Sequence, residues 1–178
     1  MSKSALVVID MLNAYDFEDA DRLAENVREA LPNIRRLIDR AKADGVPIIY
    51  VNDNYGDWNS SAEELVETAR RGRFPDLIEE IAPADDVKFV IKGRHSIFYG
   101  TPMEYLLKEL EVDRLVFAGQ VTEQCVLYSV LDAYVRDIAV AVPRDAVAHI
   151  HDDLAEAAFK MMEVNMSADV EPSAECEL

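Results

Sequence analysis

The chain has 178 residues, half of them hydrophobic, which excludes an intrinsically disordered protein and allows one domain with a sizeable core. With 35 acidic against 18 basic residues the formal charge is −17, which argues against nucleic acid and against an anionic membrane as partners. No apolar stretch reaches the roughly 20 residues of a membrane span. The run Ala5–Ile9 is too short for a signal-peptide core and ends at Asp10. Two cysteines, Cys125 and Cys176, make no disulfide framework, so a reducing compartment and a cytoplasmic location are expected.

In chain order, Leu6–Ile9 reads as a strand. Asp21 to Ala43 is amphipathic, with Leu23, Val27, Leu31, Ile34, Leu37, Ile38 and Ala41 on one face, and Pro32 within it predicts a kink or a break. Gly45 and Pro47 turn the chain into a second strand, Val46–Val51. Two helices, Ser60–Arg71 and Phe74–Ile81, precede a third strand at Lys88–Ile91, which ends at Lys92. Thr101–Leu110 reads as a helix with Thr101 as N-cap, Pro102 in the first turn and Glu104 completing a capping box. Arg114–Ala118 is a fourth strand, followed by a helix over Thr122–Arg136. Ile138–Val142 is a fifth, Asp152–Asn165 the last helix, and Met166–Val170 a short final strand. The polar tail 171–178 is expected to fray.

Apolar strands alternating with helices predict a single α/β domain over 1–178, a three-layer α/β/α arrangement around a mostly parallel, Rossmann-like sheet. Such sheets place their sites beyond the carboxyl ends of the strands. Asp10 ends the first strand, Lys92 the third, and Cys125 follows the fourth by one turn. Each alone is an ordinary turn residue, solvated lysine or small buried hydrophobe. Together at one sheet edge they are an acid, a base and a nucleophile. A helix start beside Cys125 would favour its thiolate.

Three ordered segments carry a family resemblance: Val7-Val-Ile-Asp-Met-Leu-Asn13, Val90-Ile-Lys-Gly-Arg-His-Ser-Ile-Phe98 and Gly119-Gln-Val-Thr-Glu-Gln-Cys-Val126. Asp132-Ala133 and Val142-Pro-Arg-Asp-Ala146 extend it. The chain resembles the isochorismatase-like cysteine hydrolases, which include nicotinamidases, N-carbamoylsarcosine amidase and ureidoacrylate hydrolases. The resemblance implies a triad of Asp10, Lys92 and Cys125, a thioester on Cys125, and an oxyanion hole of the Val121 and Cys125 N–H groups. It also implies a cis peptide at Gln120–Val121 and a homo-oligomer, dimer or tetramer. Asp10 would take the thiol proton and return it to the leaving amine, while Lys92 holds Asp10. Thr122 is read as the N-cap, its hydroxyl reaching the N–H of Gln124 or Cys125.

The chain also departs from that pattern. Asn52–Asn59, where nicotinamidases carry a metal site, has no histidine, and Asp53 with Asp57 does not make a transition-metal site. No metal or cofactor is expected. Leu12 stands where the family often has glutamine. His149 and His151 read as an approach loop to a helix capped by Asp152. Arg70-Arg-Gly-Arg73 either attracts a carboxylate or complements a helix C-terminus stopped at Gly72. Tyr15, Tyr55, Trp58, His95 and Phe98 are candidate walls of a small-molecule pocket, with Tyr128 either core or pocket. The leading reading is hydrolysis of a small C–N bond, in an amide, ureido group or lactam. A vinyl ether hydrolase and a non-catalytic protein of the same fold remain alternatives.

Overall fold

The computed structural model describes residues 3–84 and 86–178. Its elements run β1 (Ser4–Ile9), α1 (Ala20–Asp44), β2 (Ile48–Asp53), α2 (Ala62–Arg70), α3 (Asp76–Glu79) and β3 (Lys88–Lys92). They continue with α4 (Met103–Glu109), β4 (Arg114–Gln120), a π-helical turn (Thr122–Val126), α5 (Leu127–Tyr134), β5 (Ala139–Ala141), a 3-10 turn (Arg144–Ala146), β6 (Val147–Ala148) and α6 (Asp152–Met166). Every strand pair is parallel, in the order β3-β2-β1-β4-β5, with β6 beside the far end of β4.

Helices cover both faces of this α/β sheet, which explains the unbroken apolar strands. In β1, Ala5, Val7 and Ile9 pack on one side with α4, α5 and α6, while Leu6 and Val8 pack on the other with α1. β4 divides in the same way: Leu115 and Phe117 face one layer, Val116 and Ala118 the other. The register sets Ile9 opposite both Val51 and Gly119, and Asp53 opposite Lys92. The residues leaving β1, β2, β3 and β4 therefore meet at one edge. The chain builds outward from β1 through β2 to β3, then crosses back to β4, so a crevice opens between the ends of β1 and β4.

Several local expectations are corrected. α1 runs through Pro32 without a break: Pro32 and Arg28, whose carbonyl the ring leaves unpaired within the helix, both lie on its exposed face, where solvent can reach them. Thr101 caps no helix box; its hydroxyl donates to the Ile97 carbonyl and accepts from the Met103 N–H, and α4 starts later. The final strand reduces to a bridge between Asp169 and Ala141, because α6 extends to Met166. The tail does not fray. Arg40 on α1 donates to the carbonyls of Ser173 and Cys176, at 2.9 and 2.8 Å. Asp145 accepts from the Ser173 N–H at 2.7 Å, and Cys176 is only 3% exposed. Among the described residues no helix is long and apolar enough to cross a membrane.

Candidate active site

Lys92 ends β3 with its side chain 0% exposed, and three acceptors surround its ammonium. Nζ lies 2.9 Å from Asp10 Oδ2, 3.3 Å from Asp53 Oδ2 and 3.6 Å from Cys125 Sγ. An ammonium has three N–H donors, so each has a partner. Asp10 leaves β1 in a left-handed conformation (φ 52°), which an aspartate tolerates better than a bulky residue. Its Oδ1 accepts the Asp53 N–H at 2.7 Å.

Two buried amides hold the exit of β1 in place. Asn52 accepts the Leu12 N–H at 2.9 Å and donates to the Leu12 carbonyl at 3.0 Å. Gln120 donates to the Asp10 carbonyl at 2.7 Å and accepts the Tyr15 hydroxyl at 3.2 Å. Gly119 has φ +119°, and a Cβ there would sit 2.2 Å from the Ile9 carbonyl oxygen, so only glycine lets β4 approach β1 at this point. The Gln120–Val121 peptide is cis.

The π-helical turn then delivers Cys125. Thr122 does not cap it; the hydroxyl donates instead to the Ala148 carbonyl on β6, at 3.0 Å, because β6 lies beside the end of β4. Glu123 accepts the N–H groups of Ile150 and His151 on the same oxygen, at 2.9 and 2.8 Å. Asp152 likewise does not cap α6; it pairs with His149 at 2.9 Å.

The electrostatics differ from the thiolate expectation. Burial raises the Cys125 thiol well above its ordinary range, and the Asp10 carboxylate adds to the rise more than Lys92 offsets it. Burial also raises Asp10, against the pull of Lys92. Burial pulls Lys92 down, but the charges of Asp10 and Asp53 help carry it above its ordinary value, so it stays an ammonium. Burial thus holds the Cys125 thiol toward its neutral form, beside a carboxylate of raised basicity.

A cavity of about 630 Å³ opens above the sulfur, between Asp10, Asp53, Val121 and Cys125. Tyr55 and His95 line it, and His95 Nδ1 lies 3.8 Å from the sulfur. The other proposed walls do not. Tyr15 is fully buried beneath, Phe98 is a core residue under the Arg136 guanidinium, and Trp58 is 82% exposed beside a separate cleft. Phe17, Leu23 and Ile150 supply the apolar wall instead. Tyr128 meets the edge of His95 outside the cavity, ring centroids 5.3 Å apart.

A family model described as "Isochorismatase domain" matches residues 4–175. The chain belongs to the isochorismatase family. It is 36% identical over 172 residues to the uncharacterized isochorismatase family protein YaaI of Bacillus subtilis, covering 96% of this chain and 95% of that one. The ureidoacrylate amidohydrolase RutB of Agrobacterium fabrum is 27% identical over 186 residues, with 88% and 81% covered. The solved N-carbamoylsarcosine amidase of Thermoplasma acidophilum superposes with a TM-score of 0.73 at 26% identity, covering 99% of both chains.

In this isochorismatase-family chain the residue missed by sequence reasoning is Asp53. The sequence presents it only as a metal-ligand candidate, yet it is the second carboxylate on Lys92, and its place at the end of β2 is the available signal. Asp57 turns away to accept the Asn59 N–H at 3.0 Å. The arginine cluster complements its helix: Arg70 pairs with Glu67 and Glu79, Arg71 with Glu67, and Arg73 with Asp21.

Proposed function

We propose that this isochorismatase-family chain is a cysteine-dependent hydrolase of small-molecule C–N bonds. The contact that carries the reading is the buried Lys92 ammonium, held by Asp10 and Asp53 and reaching 3.6 Å to the Cys125 sulfur under an open cavity. The amidohydrolase and amidase names of its relatives support the same bond class.

In this reaction Cys125 Sγ attacks the amide carbon as its proton passes to Asp10, forming the S–C bond. The carbonyl oxygen takes up negative charge against the N–H groups of Val121 and Cys125. The C–N bond then breaks, Asp10 protonates the leaving nitrogen, and a thioester remains. Water attacks the thioester, giving its proton to Asp10. The S–C bond breaks and the thiol regains that proton. Lys92 holds the carboxylate and offsets the charge that builds on sulfur. A neutral resting thiol suits this scheme, because its proton leaves only as the S–C bond forms.

A homo-oligomer goes with this proposal. Tyr128, Leu131 and Tyr134 on α5, with Val135 directly after it, form an exposed apolar stripe at helical spacing, a face suited to a second copy of the chain. Sedimentation of the protein as a monomer at micromolar concentration would remove that part.

The hydrolase reading is tested by following ammonia or amine release across a panel of primary amides, ureido compounds and lactams. The wild type is expected to turn over at least one class, and Cys125→Ala to lose at least about 10³-fold in kcat/KM on it. Retained activity in Cys125→Ala, or silence across the panel, would sink the reading.

A further inference from the structure

The cavity above Cys125 has a marked charge. Among the described residues no lysine or arginine lines it, whereas four aspartates do: Asp10 and Asp53 at the floor, Asp16 and Asp19 at the rim. The Lys92 ammonium, enclosed behind Asp10 and Asp53, is already shared between those two carboxylates. Asp16 and Asp19 are exposed, on the segment between β1 and α1. No side-chain hydrogen bond or ion pair engages either of them among the described residues.

The nearest arginines do not correct this balance. Arg71 and Arg73 line an adjoining notch that shares Asp16 with the cavity rim. Arg73 is engaged at 2.8 Å by Asp21, and Arg71 by Glu67 at 3.5 Å. Arg22 faces His151 and Asp152. A carboxylate entering the cavity would find no free cation and two unpaired negative charges at the entrance. An ammonium would find the reverse, and the apolar wall of Phe17, Leu23 and Ile150 would accept the carbon skeleton between them.

Resting on the hydrolase reading above, we propose that the substrate is an amide without a carboxylate, carrying an amine that reaches Asp16 and Asp19 while its carbonyl lies over Cys125. The two rim aspartates are then specificity determinants that favour cationic and reject anionic amides.

The test uses Cys125 itself as the reporter. The full-length protein is treated with aminoethyl, methyl and sulfonatoethyl methanethiosulfonate, and labelling of the Cys125 peptide is timed by mass, each rate divided by that of a free thiol in solution. The aminoethyl reagent is expected to outpace the sulfonatoethyl one by at least about tenfold, and the gap to close as salt is raised. In Asp16→Asn/Asp19→Asn the gap is expected to shrink to about a third or less of its wild-type value. Equal rates, or faster anionic labelling, overturn the proposal. A gap unchanged in the double variant overturns the assignment to the rim. Turnover of a carboxylate-bearing amide as fast as its neutral counterpart overturns it too, while leaving the hydrolase reading in place. Absence of any amide hydrolysis removes the reading beneath it.

Discussion

Lys92 is fully enclosed, so its charge depends on its acceptors, and theirs on it. Replacing it by methionine leaves Asp10 buried without its cation. Lys92→Met is expected to lose about 3 kcal/mol in denaturant unfolding at neutral pH, and less in acid, where Asp10 can take a proton. Because burial lifts Asp10 above the ordinary carboxylate value of about 3.9, the acid limb of kcat/KM is expected above that value, activity falling as pH drops through it. The Cys125 thiol gives an opposite signature in stability. The unfolded chain releases this proton near pH 8.5, while the folded chain holds it to higher pH. Its stabilising contribution is therefore complete below about pH 8.5 and is lost as pH rises toward the folded value. Thermal unfolding of wild type against Cys125→Ala, at about pH 7.5 and about pH 10, is expected to show the wild type losing more on the alkaline side. Asp10, Lys92 and Cys125 were legible because each follows an unmistakable strand. Asp53 was equally placed but was weighed against metal chemistry alone. Tyr15 and Phe98 were misread as walls because loop aromatics close to strand ends can turn into the core, which the linear chain does not show.

The element that decides the site is the junction of β4 with its π-helical turn. Gly119 has its α-carbon against the Ile9 carbonyl, leaving no room for a methyl group, and its φ is one that L side chains rarely adopt. Gly119→Ala is expected to cost at least about 2 kcal/mol in stability and to lower activity by spreading Asp10 from Cys125, read by denaturant unfolding and by kcat/KM. The conservative control Gly100→Ala, at a positive-φ glycine with open space around it, should cost only the local backbone strain. Helical periodicity located a helix after β4 but could not reveal its first turn as π, nor that Thr122 would turn to Ala148 on β6. Capping signals at Thr101 and Asp152 failed for a related reason: a nearby carbonyl in one case and a histidine in the other offered the side chain a different partner. At Ser61 and Glu64, where no other side-chain partner competes among the described residues, a full capping box formed.

Over the whole molecule, the alternation of apolar strands and amphipathic helices made the parallel sheet and its two helical layers legible. The strand order was not, since it depends on which face each crossover takes. Nor was the docked tail, whose backbone is held by Arg40 from α1 and whose side chains look polar until Asp145 pairs with Ser173. Removing residues 172–178 is expected to lower stability by about 1–3 kcal/mol by denaturant unfolding, since buried Cys176 and Ser173 leave with their hydrogen bonds.

The central claim is that Cys125 carries the acyl group. Mixing the protein with a slow amide or activated acyl analogue, quenching in acid within one turnover and weighing the intact chain and its peptides tests this directly. The mechanism predicts a mass increase equal to the acyl fragment, confined to the peptide holding Cys125 and absent in Cys125→Ala. Product formation with an unmodified Cys125 at every time point, or an adduct on another residue, would contradict it.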